Sequence, residues 1–227
     1  METEIILQHG WGFDANSWAK WLPALKQRGR VMIGERGYFG ARKVTPAFSA
    51  DAPRKIVVAH SFGAHLVPAD VMRQADAVVL IAAFMDLQAN ARAIRAMQRK
   101  FPAAPDIVIT DFWRNCYAPE YDRVSLLPPP GMNEAALEDD LVALGESVLD
   151  VQTLATVPQL ILLQPDSDRI VPDESRLHLR SALPNASVVD VTGGSHVAHL
   201  TQSERCLQFV VSLATRNQKE ACQTQKL

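Results

Sequence analysis

The chain is poor in several features that would each mark a function class. Only three of its 227 residues are cysteine, Cys116, Cys206 and Cys222. They are odd in number and show no C-x-x-C spacing, which argues against a disulfide framework or a zinc site and predicts free thiols. Neither sign of charge dominates: the formal net charge is −2, so no whole-molecule field favours nucleic acid or an anionic membrane. No apolar run reaches the roughly twenty residues needed to span a bilayer. The opening residues Met1-Glu2-Thr3-Glu4 are acidic where a secretory signal would be basic. The expectation is a cytoplasmic chain that binds neither nucleic acid nor membrane. Internal repeats are absent, and low complexity is confined to proline clusters.

What is present is apolar sequence in short, bounded runs. About half the chain, 48 %, is hydrophobic, enough for one substantial core and a single monomeric domain. Runs at Ile5-Ile6-Leu7, Val31-Met32-Ile33, Ile56-Val57-Val58, Ala77 to Ile81, Leu160 to Leu163 and Val188 to Val191 suit fully buried parallel strands. Helix-like stretches lie between them, at Trp18 to Gln27, Phe62 to Gln74, Asp173 to Ser181 and Ser203 to Thr215. This alternation predicts an α/β fold, a mostly parallel sheet with helices on both faces. It fails over residues 86–155, where Asn90 to Phe101 and Glu134 to Leu149 have helical spacing around prolines 102, 105 and 128 to 130. That region reads as a helical cap insertion, leaving 1–85 and 156–215 as the core and 216–227 as a polar tail.

The chemistry concentrates in Val57-Val58-Ala59-His60-Ser61-Phe62-Gly63, a strand running into a helix through a serine flanked by small residues. This is the pattern of a nucleophile elbow, with Ala59 in place of the first glycine of G-x-S-x-G. A serine hydroxyl is a weak nucleophile until a base takes its proton, and the base needs a carboxylate to fix its tautomer. Both partners follow later strands. Asp168 lies in Asp166-Ser167-Asp168-Arg169-Ile170-Val171-Pro172, with Asp166 its rival; His196 lies in Gly193-Gly194-Ser195-His196, with His199 its competitor. Sites on open α/β sheets form at these carboxyl ends of strands. The oxyanion created by attack needs two backbone N–H donors, expected from Phe62 and from Trp11 in the loop His9-Gly10-Trp11-Gly12. His60 and His65 beside the serine, and Trp18 and Trp21, read as structural.

H-G-W-G, A-H-S-F-G, D-R-I-V-P and G-S-H in this order resemble the α/β-hydrolase superfamily over nearly the whole chain. The resemblance implies an α/β-hydrolase fold and a Ser61, His196, Asp168 triad acting on a small acyl ester with no metal or organic cofactor. Three features depart from that pattern: Ala59, Pro165 before the acid, and an antiparallel N-terminal hairpin expected to be missing. Within the superfamily, His9-Gly10-Trp11-Gly12-Phe13-Asp14-Ala15-Asn16-Ser17-Trp18 is similar to pimeloyl-carrier-protein methyl ester esterases of biotin synthesis, which implies an acyl carrier protein as partner. Arg92, Arg95 and Arg99 share one face of a predicted cap helix and are candidates for docking an acidic carrier. The same stripe also suits an ordinary solvated face. The other expected outcomes are a broad short-chain carboxylesterase on free esters and a non-catalytic ligand-binding protein of the same fold.

Overall fold

The computed structural model describes residues 2–119 and 127–224. Six strands form one sheet: β1 (Thr3–Gln8), β2 (Gly29–Gly34), β3 (Lys55–His60), β4 (Ala77–Ile81), β5 (Gln159–Pro165) and β6 (Ser187–Val191). Their spatial order is β2-β1-β3-β4-β5-β6 and every neighbouring pair is parallel. Successive side chains alternate between two apolar layers. Ile5, Leu7, Ile56, Val58, Val79 and Ile81 enter one; Ile6, Val57, Ala59, Val78, Leu80 and Leu162 enter the other. Burial on both faces is why the inner strands β1, β3, β4 and β5 read as unbroken apolar runs.

Among the described residues, ten α-helices surround the sheet. α1 (Leu22–Lys26), α2 (Gly63–Leu66), α3 (Ala69–Gln74), α4 (Ala91–Lys100), α5 (Pro105–Tyr117), α6 (Glu134–Glu146), α7 (Val151–Ala155), α8 (Asp173–Ala182), α9 (Ala198–Thr201) and α10 (Ser203–Thr224) follow in chain order. α1, α9 and α10 cover one face through Leu25, Ala198, Cys206 and Val210, together with Trp18 and Trp21. α2, α3, α7 and α8 cover the other through Ala64, Val71, Leu154 and Leu179. α4, α5 and α6 build a third apolar cluster with Trp11 and Phe62, residues of the loops after β1 and β3. A polar latch ties that cluster to the sheet: Arg36, just after β2, donates from Nε and Nη2 to Asp140 of α6 at 2.7 and 2.5 Å, and the buried Tyr38 hydroxyl donates to the same carboxylate at 2.5 Å.

Several element boundaries differ from those expected. Phe62 to Gln74 is two helices, because Pro68 lacks an N–H and drives Val67 out to an extended ψ of 126°. The stretch Trp18 to Gln27 divides into a 3-10 turn at Ala15–Trp18 and the short α1. Pro105, read as a breaker, opens α5, where its missing N–H costs nothing. α6 stops at Glu146, short of Leu149, and the α10 backbone runs on to Thr224, past the boundary expected at Thr215. Cys116 and Cys206 are buried free thiols. Residues 120–126 of the expected insertion and 225–227 of the expected tail lie outside the described residues.

Candidate active site

From β1 the chain passes to β2 on one side and then returns to β3 on the other, so the loops after β1 and β3 diverge and leave a crevice at the carboxyl edge. Ser61 sits there, directly after β3, with φ at 52°. Its N–H is fixed by the Ile81 carbonyl at 2.8 Å. Gly63 lets the following helix close onto β1, since a Cβ there would stand 2.6 Å from the Gln8 carbonyl oxygen and 2.7 Å from that of His9. Ala59 needs no such exemption: its methyl is buried in the sheet's apolar layer.

The structure brings Ser61, His196 and Asp168 into one hydrogen-bonded chain. His196 Nδ1–H donates to Asp168 Oδ2 at 2.8 Å, which leaves Nε2 to accept from the Ser61 hydroxyl at 2.9 Å. The His196 and Asp168 side chains have no solvent exposure. Asp168 is aimed by its own loop, whose Ile170 and Val171 N–H groups bind Oδ1 at 2.7 and 3.0 Å. The rival Asp166 is exposed and turned away, accepting from the Gly193 N–H at 2.7 Å. His199 does not reach Ser61; its ring is sandwiched between His60, 4.2 Å away, and Trp18, 4.9 Å away.

The two amides expected to hold an oxyanion are unengaged: neither the Trp11 nor the Phe62 N–H has an acceptor among the described residues. The Trp11 loop is held by His9, whose Nδ1–H donates to the Gly10 carbonyl at 2.9 Å while Nε2 accepts from the Arg36 N–H at 3.2 Å. Gly10 lets this loop pack tightly on the elbow, since a Cβ there would lie 3.0 Å from the His60 carbonyl oxygen and 3.1 Å from Ser61 Cβ. The arrangement can deliver a deprotonated hydroxyl to an acyl carbon and offer two donors to the charge that develops.

Behind His196 lies a neutral histidine layer. His60 Nε2–H donates to the His196 carbonyl at 3.0 Å. Burial, reinforced by His199 and His196, pushes the His60 pKa well below the ordinary histidine value. Burial and His196 lower His199 to about 3, and burial lowers His65, bonded to the Phe84 carbonyl, to about 4. Among the described residues no group of three His, Cys, Asp or Glu side chains is placed to hold a metal ion.

Ser61 opens into a cleft of ≈ 420 Å³ between α4 and α5. Trp11, Leu87, Ile94, Met97, Val108 and Phe112 make its apolar wall. Arg92, Arg95 and Arg99 do not line it: all three point outward, exposed, on the solvent side of α4. The charged side chains that do line it are Lys100, Asp111 and Arg169. Of these, Arg169 was legible in the D-R-I-V-P segment beside the acid, and its position in the cleft follows from the loop turning Asp168 inward. Phe112 and Val108 were missed because α5 was hidden behind its opening proline.

Comparison with known proteins agrees with this geometry. Residues 5–209 match the model of a family described as the alpha/beta hydrolase family. No curated protein is matched by the chain's sequence. Among solved structures, a bromoperoxidase from Bacillus anthracis superposes with a TM-score of 0.75 at 18 % identity, covering 95 % of this chain and 92 % of that one. The enol-lactonase from Burkholderia xenovorans LB400 gives 0.76 at 15 % identity, with 95 % and 92 % covered. A thermophilic esterase from Thermogutta terrifontis gives 0.72 at 15 % identity, with 95 % and 90 % covered. At these identities the likeness is one of fold.

Proposed function

Because this chain belongs to the α/β-hydrolase family, we propose that it is a serine carboxylic-ester hydrolase working through Ser61, His196 and Asp168. The observation that carries the reading is the 2.9 and 2.8 Å hydrogen-bond chain from Ser61 through His196 to Asp168. Ser61 Oγ adds to the ester carbonyl carbon as its proton passes to His196 Nε2, and the carbonyl oxygen becomes an oxyanion facing the Trp11 and Phe62 N–H groups. Asp168 holds the imidazole and stabilises the imidazolium. Collapse breaks the bond to the alcohol oxygen, which leaves with the proton from Nε2. Water then adds to the acyl-enzyme, giving its proton to Nε2, and the second collapse releases the acid and restores the Ser61 hydroxyl.

The substrate in this proposal is the methyl ester of a medium-length acyl chain on an acyl carrier protein, as in biotin synthesis. The apolar cleft supports the acyl part, and the segment His9 to Trp18 and the exposed arginines of α4 support the carrier. A second reading, a broad carboxylesterase on free small esters, is favoured by the same arginines lying off the cleft wall. One set of measurements tests both. A fluorophosphonate should label Ser61, and Ser61→Ala should lose the adduct and about 10⁶-fold of turnover on every ester. Retained turnover refutes the nucleophile, and no adduct on the wild type favours a non-catalytic binding protein. Replacing Arg92, Arg95 and Arg99 together by alanine should slow a carrier-linked methyl ester and spare a free one; equal turnover of both leaves the free-ester reading.

A further inference from the structure

We propose that the cleft beside Ser61 selects esters bearing one anionic group, a carboxylate or a phosphate-type oxyanion, and that Arg169 is the residue that binds it. The proposal rests on Ser61 being the nucleophile and adds what the cleft discriminates. Its basis is the charge inventory of the wall. Three charged side chains line the cleft, and two of them are paired: Lys100 Nζ lies 3.1 Å from Asp111, whose other oxygen accepts from Arg114 at 3.2 Å. Arg169 has neither a carboxylate nor a hydrogen-bond partner among the described residues. The carboxylate nearest in sequence is already committed, since Asp168 gives one oxygen to His196 and the other to the Ile170 and Val171 N–H groups. The rest of the wall is largely apolar. Arg169 is exposed at the edge of that wall, where an unpaired guanidinium presents a planar fork matched to a carboxylate or phosphate.

Its place along the cleft sharpens the reading. The Arg169 loop is pinned to the start of the cap by Asn90, whose Nδ2–H donates to the Ile170 carbonyl at 2.6 Å. α4 then runs along the cleft through Ala93 and Met97 to Lys100, roughly 15 Å by helical rise. The unpaired Arg169 and the paired Lys100–Asp111–Arg114 cluster therefore stand at opposite ends. A linear acyl chain meets the unpartnered guanidinium at one end and cations that already have a carboxylate partner at the other, with Ser61 opening onto the same cleft.

The test compares monomethyl adipate, its dimethyl ester and the phosphonate analogue of the monoester in wild type, Arg169→Gln and Arg169→Lys. Wild type should favour the anionic esters about fivefold in kcat/KM, as for an ion pair with partial solvent access. Arg169→Gln should erase that preference by raising KM for the anionic esters, with its thermal midpoint as the check on folding, and Arg169→Lys should restore part of it. Preference for the carboxylate or for the phosphonate identifies the anion and either supports the proposal. No preference in wild type, or one that survives Arg169→Gln, overturns it. Calorimetric titration of Ser61→Ala with the monoester and the diester, with and without Arg169→Gln, reads the same preference without turnover. An intact anion preference in a protein that forms no Ser61 adduct thus refutes the nucleophile and leaves Arg169 standing.

Discussion

At Ser61 the backbone holds φ at 52°, a left-handed conformation that costs an L-residue about 1–2 kcal/mol. That cost is met by the Ile81 carbonyl on its N–H and by the helix that Gly63 lets close onto β1. The effect is to raise the hydroxyl above the sheet, where His196 Nε2 meets it. The two acidic candidates differ in kind. Asp168 faces His196 and has no side-chain exposure, whereas Asp166 is exposed and serves the Gly193 turn. Asp168→Asn keeps an acceptor for the Ile170 and Val171 N–H groups but removes the charge opposite His196 Nδ1 and permits the wrong tautomer. Its kcat should fall on the order of 10⁴-fold with the thermal midpoint nearly unchanged. Asp166→Asn should stay within about twofold of wild type, because an exposed polar change away from the reacting atoms has little to act on. Steady-state rates on one activated ester, with melting curves for both variants, decide between the two carboxylates.

Among the elements, the latch from the loop after β2 to α6 holds the cap helices in place. Arg36 binds Asp140 through two nitrogens and the buried Tyr38 hydroxyl shares the carboxylate. Asp140→Asn leaves Arg36 without its counter-charge; breaking a buried pair costs 3–5 kcal/mol and Arg36 is partly exposed, so about 2 kcal/mol is expected. The urea midpoint should fall at constant slope, and KM should rise more than kcat falls, because α6 contributes Leu144 to the cleft. Strands were readable because a two-face-buried parallel strand needs an unbroken apolar run, and the order of Ser61, Asp168 and His196 on successive strand ends was readable with them. The choice of Asp168 over Asp166 was not, since it depends on which way one short loop turns. Nor were α5 and the break at Pro68, where one proline starts a helix and another splits one according to which N–H is needed. The direction of the α4 arginines depends on where α6 packs, a long-range contact that spacing alone does not encode.

At the scale of the whole molecule, the buried histidines set the response to acid. His199 at about 3, His65 at about 4 and His60 well below its ordinary value all stay neutral in the folded protein. Unfolded, each would titrate near 6.5. Above that pH neither state is charged and these groups contribute nothing. Below it the unfolded chain binds protons that the folded one refuses, so stability falls by at most about 1.4 kcal/mol per pH unit for each histidine. The urea midpoint should therefore decline between pH 6.5 and 5, above the range where carboxylates titrate, and His199→Gln should lower that slope by about one third. A flat profile over this interval would show that these rings take up protons while folded. The cap helices and the loop after β1 meet in one residue: the Trp11 indole N–H donates to the Leu137 carbonyl of α6 at 2.8 Å, while its backbone N–H has no acceptor among the described residues. Trp11 is thus a rigid tie between α6 and the loop after β1, so the packing of one constrains the position of the other.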